Sequence, residues 1–340
     1  MPKYEIRKQD GKEALFDENG NQISDWFDKI RADGLLNRKS EYFIAEKHKK
    51  ERKIVRMHEE IKLSLLVKDE KKAIFHKSGK QISEWFDDIL EEGLVKGQSN
   101  YFIAKKDRKK AIFDRNSKRI TEWFDDITSN GLVEGQSEYF IAVKKNKEAI
   151  FDKSGKRISE WFDWIWSNGL VEGESDYYIA REGSILDDSA KEAIFDRNGK
   201  QVSEWFDWIH KAGLIKGESD YYPVQKDGKW AIFHKSGEQV SEWFDKILEY
   251  GLVNGESNFF FAKKNGQWAV FHKSGRKLFK VEEEEINDKD KVGKIFEKAQ
   301  EFYLEKYILK FKKRKVKIAL DEEDVDTSAF KPKRRFKLKP

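Results

Sequence analysis

The chain has 340 residues, of which 39% are charged, 38% hydrophobic and 14% aromatic, and it has no cysteine. Disulfides and thiolate metal sites are therefore excluded. No stretch approaches the roughly 20 apolar residues of a membrane-spanning helix. The opening Met1-Pro2-Lys3-Tyr4 has no apolar signal core, so a cytoplasmic protein is expected. The net charge of +5 is unevenly placed. Residues 1–275 carry 48 Lys/Arg against 49 Asp/Glu, whereas residues 276–340 carry 20 against 14.

Read from its start, the chain begins with a short strand pattern at Tyr4-Glu5-Ile6, then Ala14-Leu15-Phe16, then the triplet Trp26-Phe27-Asp28. This order recurs. The triplet Trp-Phe-Asp stands at Trp26, Trp85, Trp123, Trp161, Trp205 and Trp243, at spacings of 59, 38, 38, 44 and 38. The Ala-Ile-Phe pattern ends at Phe16, Phe75, Phe113, Phe151, Phe195, Phe233 and Phe271. The unit is thus about 38 residues long, with insertions at about 47–67 and 181–190. Six full copies are followed by a degenerate seventh, and the array is expected to span residues 1–280.

Within each unit, runs such as Tyr101-Phe102-Ile103-Ala104 and Ala111-Ile112-Phe113 predict strands. Segments such as Asp152-Lys153-Ser154-Gly155 predict tight turns in which Gly supplies a positive φ. The third copy has Ser117 in that place, which predicts a turn strained by up to about 1 kcal/mol. At the triplet, Ser or Thr stands two residues before each Trp and Gly eight residues after it. Ile82, Trp85, Phe86 and Ile89 fall at i, i+3, i+4 and i+7. These features predict a short helix at Ser-Glu-Trp-Phe-Asp, with an irregular third strand as the competing reading.

The repeat resembles the WG (KWG) repeat family. The residues that carry the resemblance are Gly228-Lys229-Trp230-Ala231-Ile232-Phe233 with Gly237, and Gly266-Gln267-Trp268-Ala269-Val270-Phe271 with Gly275. Phe86-Asp87-Asp88-Ile89 and Gly93-Leu94-Val95 resemble the later parts of that pattern. Ala replaces the family's second Gly, and only two copies keep the signature Trp. The resemblance implies a mainly β tandem repeat, used as an interaction module and without catalytic residues. A unit this small cannot bury its own apolar face, so neighbours must stack. A propeller-like ring and an open curved array of six to seven units both satisfy that need.

Residues 281–320 are expected to form a helical C-terminal segment. Its apolar stripe is Val292, Ile295, Phe296, Ala299, Phe302, Tyr303 and Tyr307. Residues 321–340 form an acidic and then basic tail.

Candidate sites are the residues that break the repeat. The position after Trp-Phe-Asp is Lys29, Asp88, Asp126, Trp164, Trp208 and Lys246. Ile165 and Ile209 should point inward, so Trp164 and Trp208 should lie exposed, with Trp166 and His210 close by, as a contact patch for a protein partner. Phosphate or acidic-partner contacts are expected from Lys49, Lys50, Arg52 and Lys53 in the first insertion. Lys312, Lys313, Arg314, Lys315, Lys333, Arg334 and Arg335 would serve likewise in the tail. Nucleic acid or an RNA-rich particle is therefore the alternative partner. His76, His234 and His272 share the turn slot that elsewhere holds Asp, so a turn role is expected for them and no metal site. No cofactor, membrane or small-molecule substrate is called for, and no catalytic motif is present.

Overall fold

A computed structural model describes residues 3–57, 61–184 and 189–309, with only the backbone described for residues 49–57, 61–69, 289 and 309. Among the described residues seven antiparallel hairpins follow one another. They are Glu5–Gln9 with Lys12–Phe16, Tyr42–Met57 with Ile61–His76, and Tyr101–Lys106 with Lys109–Asp114. The remaining four are Tyr139–Lys144 with Lys147–Asp152, Tyr177–Glu182 with Lys191–Asp196, Tyr221–Lys226 with Lys229–His234, and Phe259–Lys264 with Gln267–His272. The first insertion lengthens the second hairpin, whose register runs from Tyr42↔His76 to Met57↔Ile61. The fold is a mainly β tandem array.

The turns of the shorter hairpins place two successive residues at positive φ, as at Asp227 (50°) and Gly228 (72°). That conformation matches the right-handed twist of the flanking strands. Ser117 also has φ 63°, so the strain expected of its turn is present.

The helix expected at Ser-Glu-Trp-Phe-Asp does not form; the competing third strand does. Its backbone is claimed by two hairpins in turn. Phe86 exchanges hydrogen bonds with Lys72 of the hairpin behind it (2.8 and 2.9 Å), and one residue later Asp87 N donates to Lys105 O of the hairpin ahead (2.9 Å). An α-helix would spend those groups on itself. Ser83 is no helix cap. Its Oγ accepts from Ile74 N (2.8 Å) and donates to Glu84 O (2.9 Å). The triplet is thus a link that stitches each hairpin to the next. The Gly that follows it does not end a helix either. A Cβ on Gly93 would lie 2.3 Å from Tyr101 O and 2.9 Å from Val133 O, so this glycine marks close approach of two units.

Each apolar layer lies between successive hairpins. Ile103 and Ile112 of the third hairpin pack on Phe124, Ile127, Val133, Phe140 and Phe151 of the next unit. Fully buried aromatics such as Phe102 and Phe140 each contribute about 2–3 kcal/mol by leaving water. The repeated Trp residues are only half-buried. Trp123 rests against Phe86 of the preceding link and Phe113 of its own hairpin. Serines add a polar staple: the Ser99, Ser137 and Ser219 hydroxyls each donate to a carbonyl of the next unit (Val133, Val171, Val253) at 2.7 Å.

The two ends are finished differently. At the N-terminus, Glu5 and Arg7 occupy the register positions of Phe102 and Ala104. The outer face is thus charged, and Arg7 lies 4.3 Å over the Phe16 ring. At the C-terminus the outer face, with Phe261 and Val270, is covered by a helix (Lys289–Tyr303) through Val292, Ile295 and Ala299. The expected apolar stripe is therefore the docking face. Tyr303 stacks on His272 at 3.8 Å. Among the described residues no apolar cluster joins the first hairpin to the last. The array ends on a charged sheet and a helix, as stacked repeats need to do in water.

Candidate functional site: a tryptophan row over a buried carboxylate

The fourth and fifth links carry the departures from the repeat. In each link the residue after Asp opens a two-residue strand whose Ile points into the core, as Ile165 and Ile209 do. Strand alternation then turns the preceding residue outward. Trp164 and Trp208 accordingly stay 37% exposed, as the sequence led us to expect. Trp166 fills the space between them. Its ring is edge-on to Trp164 (6.1 Å) and to Trp208 (6.4 Å), so the three form one continuous row across two units. His210 does not join the row. Its Nε2 meets Glu249 at 2.8 Å and its Nδ1 accepts from Ala212 N.

Beneath the row lies a polar layer that sequence reasoning missed. Glu192 is fully buried. It accepts from the Trp166 indole N–H (3.2 Å) and from Ile209 N (2.9 Å), and Arg181 stands 3.7 Å away. Burial raises its carboxyl pKa against the lowering effect of those partners. Glu148 holds the equivalent place one unit earlier, accepts from Ile165 N (2.7 Å), and is likewise raised by burial. Lys211 caps the layer from outside, with Nζ 3.5 Å from the centroid of the Trp166 ring. Such a contact is worth about 1 kcal/mol.

One hairpin position, followed across the repeats, signals these carboxylates. Where the second and third links present Asp88 and Asp126, their hairpins present Lys72 and Lys110 as partners. Where the links present Trp164 and Trp208, the same hairpin position holds Glu148 and Glu192. In the Asp copies the Ile89 and Ile127 N–H groups bond to the Asp itself. In the Trp copies that acceptor is gone, and the glutamate supplies it.

The three histidines take the turn role expected of them. The Nδ1 atoms of His76, His234 and His272 accept the backbone N–H two residues on, at 3.1–3.2 Å. Elsewhere Glu46, His48 and Glu70 converge. Arg31 and Lys72 lie against Glu46, so the charge of that cluster is met from within the protein. The side chains of Lys49, Lys50, Arg52 and Lys53 lie outside the described residues, as do Lys312, Lys313, Arg314, Lys315, Lys333, Arg334 and Arg335.

No helix among the described residues is long and apolar enough to cross a membrane. No family model matches the chain, and no curated protein does. Solved structures give remote likenesses. A eukaryotic initiation factor is 11% identical, with a TM-score of 0.29, covering 82% of this chain and 85% of its own. The Dos1 propeller is 10% identical, with a TM-score of 0.25, covering 78% and 74%. The dihydro-heme d1 dehydrogenase NirN is 9% identical, with a TM-score of 0.27, covering 83% and 65%. Likeness this distant carries no argument about function.

Proposed function

We propose that this protein is a non-catalytic scaffold that binds a partner protein through the Trp164–Trp166–Trp208 row. One observation carries the reading: two equivalent link positions that hold charge in the other four copies hold exposed indoles here, joined into one surface by a third. Indoles buried on association and ringed by charge are the usual anchors of an interface. Lys211, His210 and Glu249 would form that rim. Kinship with WG repeats belongs to the same reading. Its support is that Trp230 and Trp268 occupy the same register position in successive hairpins.

The test is capture from the native cell with wild-type chain and with the double variant Trp164→Ala/Trp208→Ala, each with nuclease treatment. Partner recovery should fall at least about tenfold in the variant, because truncating an indole anchor typically costs about 2 kcal/mol or more. Unchanged recovery would sink the reading. A nucleic-acid partner is the second reading, motivated by the basic clusters at Lys49–Lys53 and in the tail. It requires binding that weakens steeply with salt and disappears when residues 310–340 are deleted.

A further inference from the structure

The strand Glu5–Gln9 has an open edge that every other hairpin in the array has filled. In hairpins two to seven, a link lies along the first strand. Its Asp N–H donates to a strand carbonyl: Asp28 to Glu46, Asp87 to Lys105, Asp125 to Val143, Asp163 to Arg181, Asp207 to Gln225 and Asp245 to Lys263, all at 2.8–3.1 Å. The same Asp carboxylate accepts a backbone N–H two residues further on, from His48, Asp107, Lys145, Gly183, Asp227 or Asn265. Three residues after the Asp, a second link N–H reaches the strand, as Leu90 does to Ile103 O at 3.0 Å.

Among the described residues no link lies along the first hairpin, whose sheet has two strands. By register, Lys8 O stands for Lys105 O, Ile6 O for Ile103 O, and Asp10 N for Asp107 N. Among the described residues none of these three groups has a protein partner. An unpaired strand edge is a template for an incoming strand.

We infer that this edge binds an extended acidic segment of a partner protein. The register on the other hairpins assigns each position of the occupant. The first must be Asp, to accept from Asp10 N. The next lies opposite Lys8, as Asp88 lies opposite Lys105. The third lies opposite Arg7, as Ile89 lies opposite Ala104. In the other units that third residue is apolar because it enters a layer with Phe102 and Ala104. Here the layer is replaced by Glu5 and Arg7, an exposed ion pair, and Lys8 pairs with Glu13; an acidic residue able to share these cations fits better than Ile. The charges on this strand disfavour stacking of a second array there. They hinder apolar docking while leaving the backbone groups available.

The test uses the full chain and a labelled peptide, acetyl-Ser-Thr-Asp-Glu-Glu-Val-Thr-Ser-amide, followed by fluorescence anisotropy. Methylating the peptide's Asp and Val nitrogens removes the two donors aimed at Lys8 O and Ile6 O. Affinity should then fall about tenfold or more, as expected for two lost backbone hydrogen bonds. Hydrogen exchange should show new protection confined to residues 4–10. The variant Arg7→Gln/Lys8→Gln should bind several-fold more weakly. The inference is overturned by no binding at about 1 mM peptide, by equal binding of the methylated peptide, or by protection elsewhere. The peptide comparisons need no protein variant, so they decide the matter even where the double variant folds poorly.

Discussion

The indole N–H of Trp166 donates to the carboxylate of Glu192 at 3.2 Å, tying the exposed row to a fully buried acid. The bond fixes the orientation of the central indole and so of the surface on either side of it. Burial lifts the Glu192 pKa above the ordinary carboxylate range. A carboxyl whose folded pKa is raised costs stability when ionised, and that cost is relieved as the pH falls through the folded value. Trp fluorescence should therefore titrate above the usual carboxylate range, and Glu192→Gln should abolish that step. A titration unaltered by the substitution would remove Glu192 as its source.

Trp164 and Trp208 contribute surface, not fold. Each is exposed, and each site accepts Asp or Lys in other copies. Truncation to Ala is expected to change stability by less than about 1 kcal/mol, measured by denaturant unfolding, since surface sites usually lie near ±0.5 kcal/mol. A larger loss would move these residues from recognition to structure.

Gly135 should be far less tolerant. A Cβ there would stand 2.2 Å from Gln98 O, and φ is 75°. Gly135→Ala is expected to cost about 3 kcal/mol, from an unfavourable left-handed conformation and a backbone clash between units. Ser117→Gly should act in the opposite sense, stabilising by up to about 1 kcal/mol by relieving its positive φ. Thermal unfolding of both variants checks the pair.

His272 ties the array to its C-terminal helix. Burial first, then Lys273 and Arg276, push its pKa down to about 4. The native state holds it neutral, stacked on Tyr303. A depressed histidine contributes stability that is present above its unfolded value near 6.5 and is lost as the pH falls toward about 4. Hydrogen exchange across the helix Lys289–Tyr303 should accelerate over that window. His272→Asn keeps the turn acceptor and should flatten the profile.

The link aspartates respond to acid at lower pH. Lys71, Lys109, Lys191 and Lys229 lead the groups that hold Asp87, Asp125, Asp207 and Asp245 below the usual carboxylate range. For Asp163 the leading cause is the Gly183 N–H. Their contribution is complete above the unfolded carboxylate pKa and lost as the pH falls through the depressed values. Melting temperature should drop steeply below about pH 4, and less steeply when Asp87, Asp125 and Asp207 are replaced together by Asn.

How far the sequence could be read depended on where each residue's partners lie. Hairpin strands, tight turns, the strained Ser117 and the outward Trp164 and Trp208 follow from contacts a few residues apart, and local rules reach that distance. The link was misread because Ser83, Trp85, Phe86 and Ile89 satisfy helical spacing by coincidence. The real partners of Ser83, Phe86 and the adjacent Asp87 are Ile74, Lys72 and Lys105, on two hairpins 9–18 residues away. Repetition by itself required stacking, since a 38-residue unit leaves an apolar face uncovered. Only the tertiary structure decided how the stack ends. Whether the last face meets the first hairpin or the C-terminal helix depends on which covers Phe261 and Val270, and the helix does so. The same holds for Glu192: its burial beneath Trp166 is a fact about two segments 26 residues apart, set by packing and invisible to any local pattern.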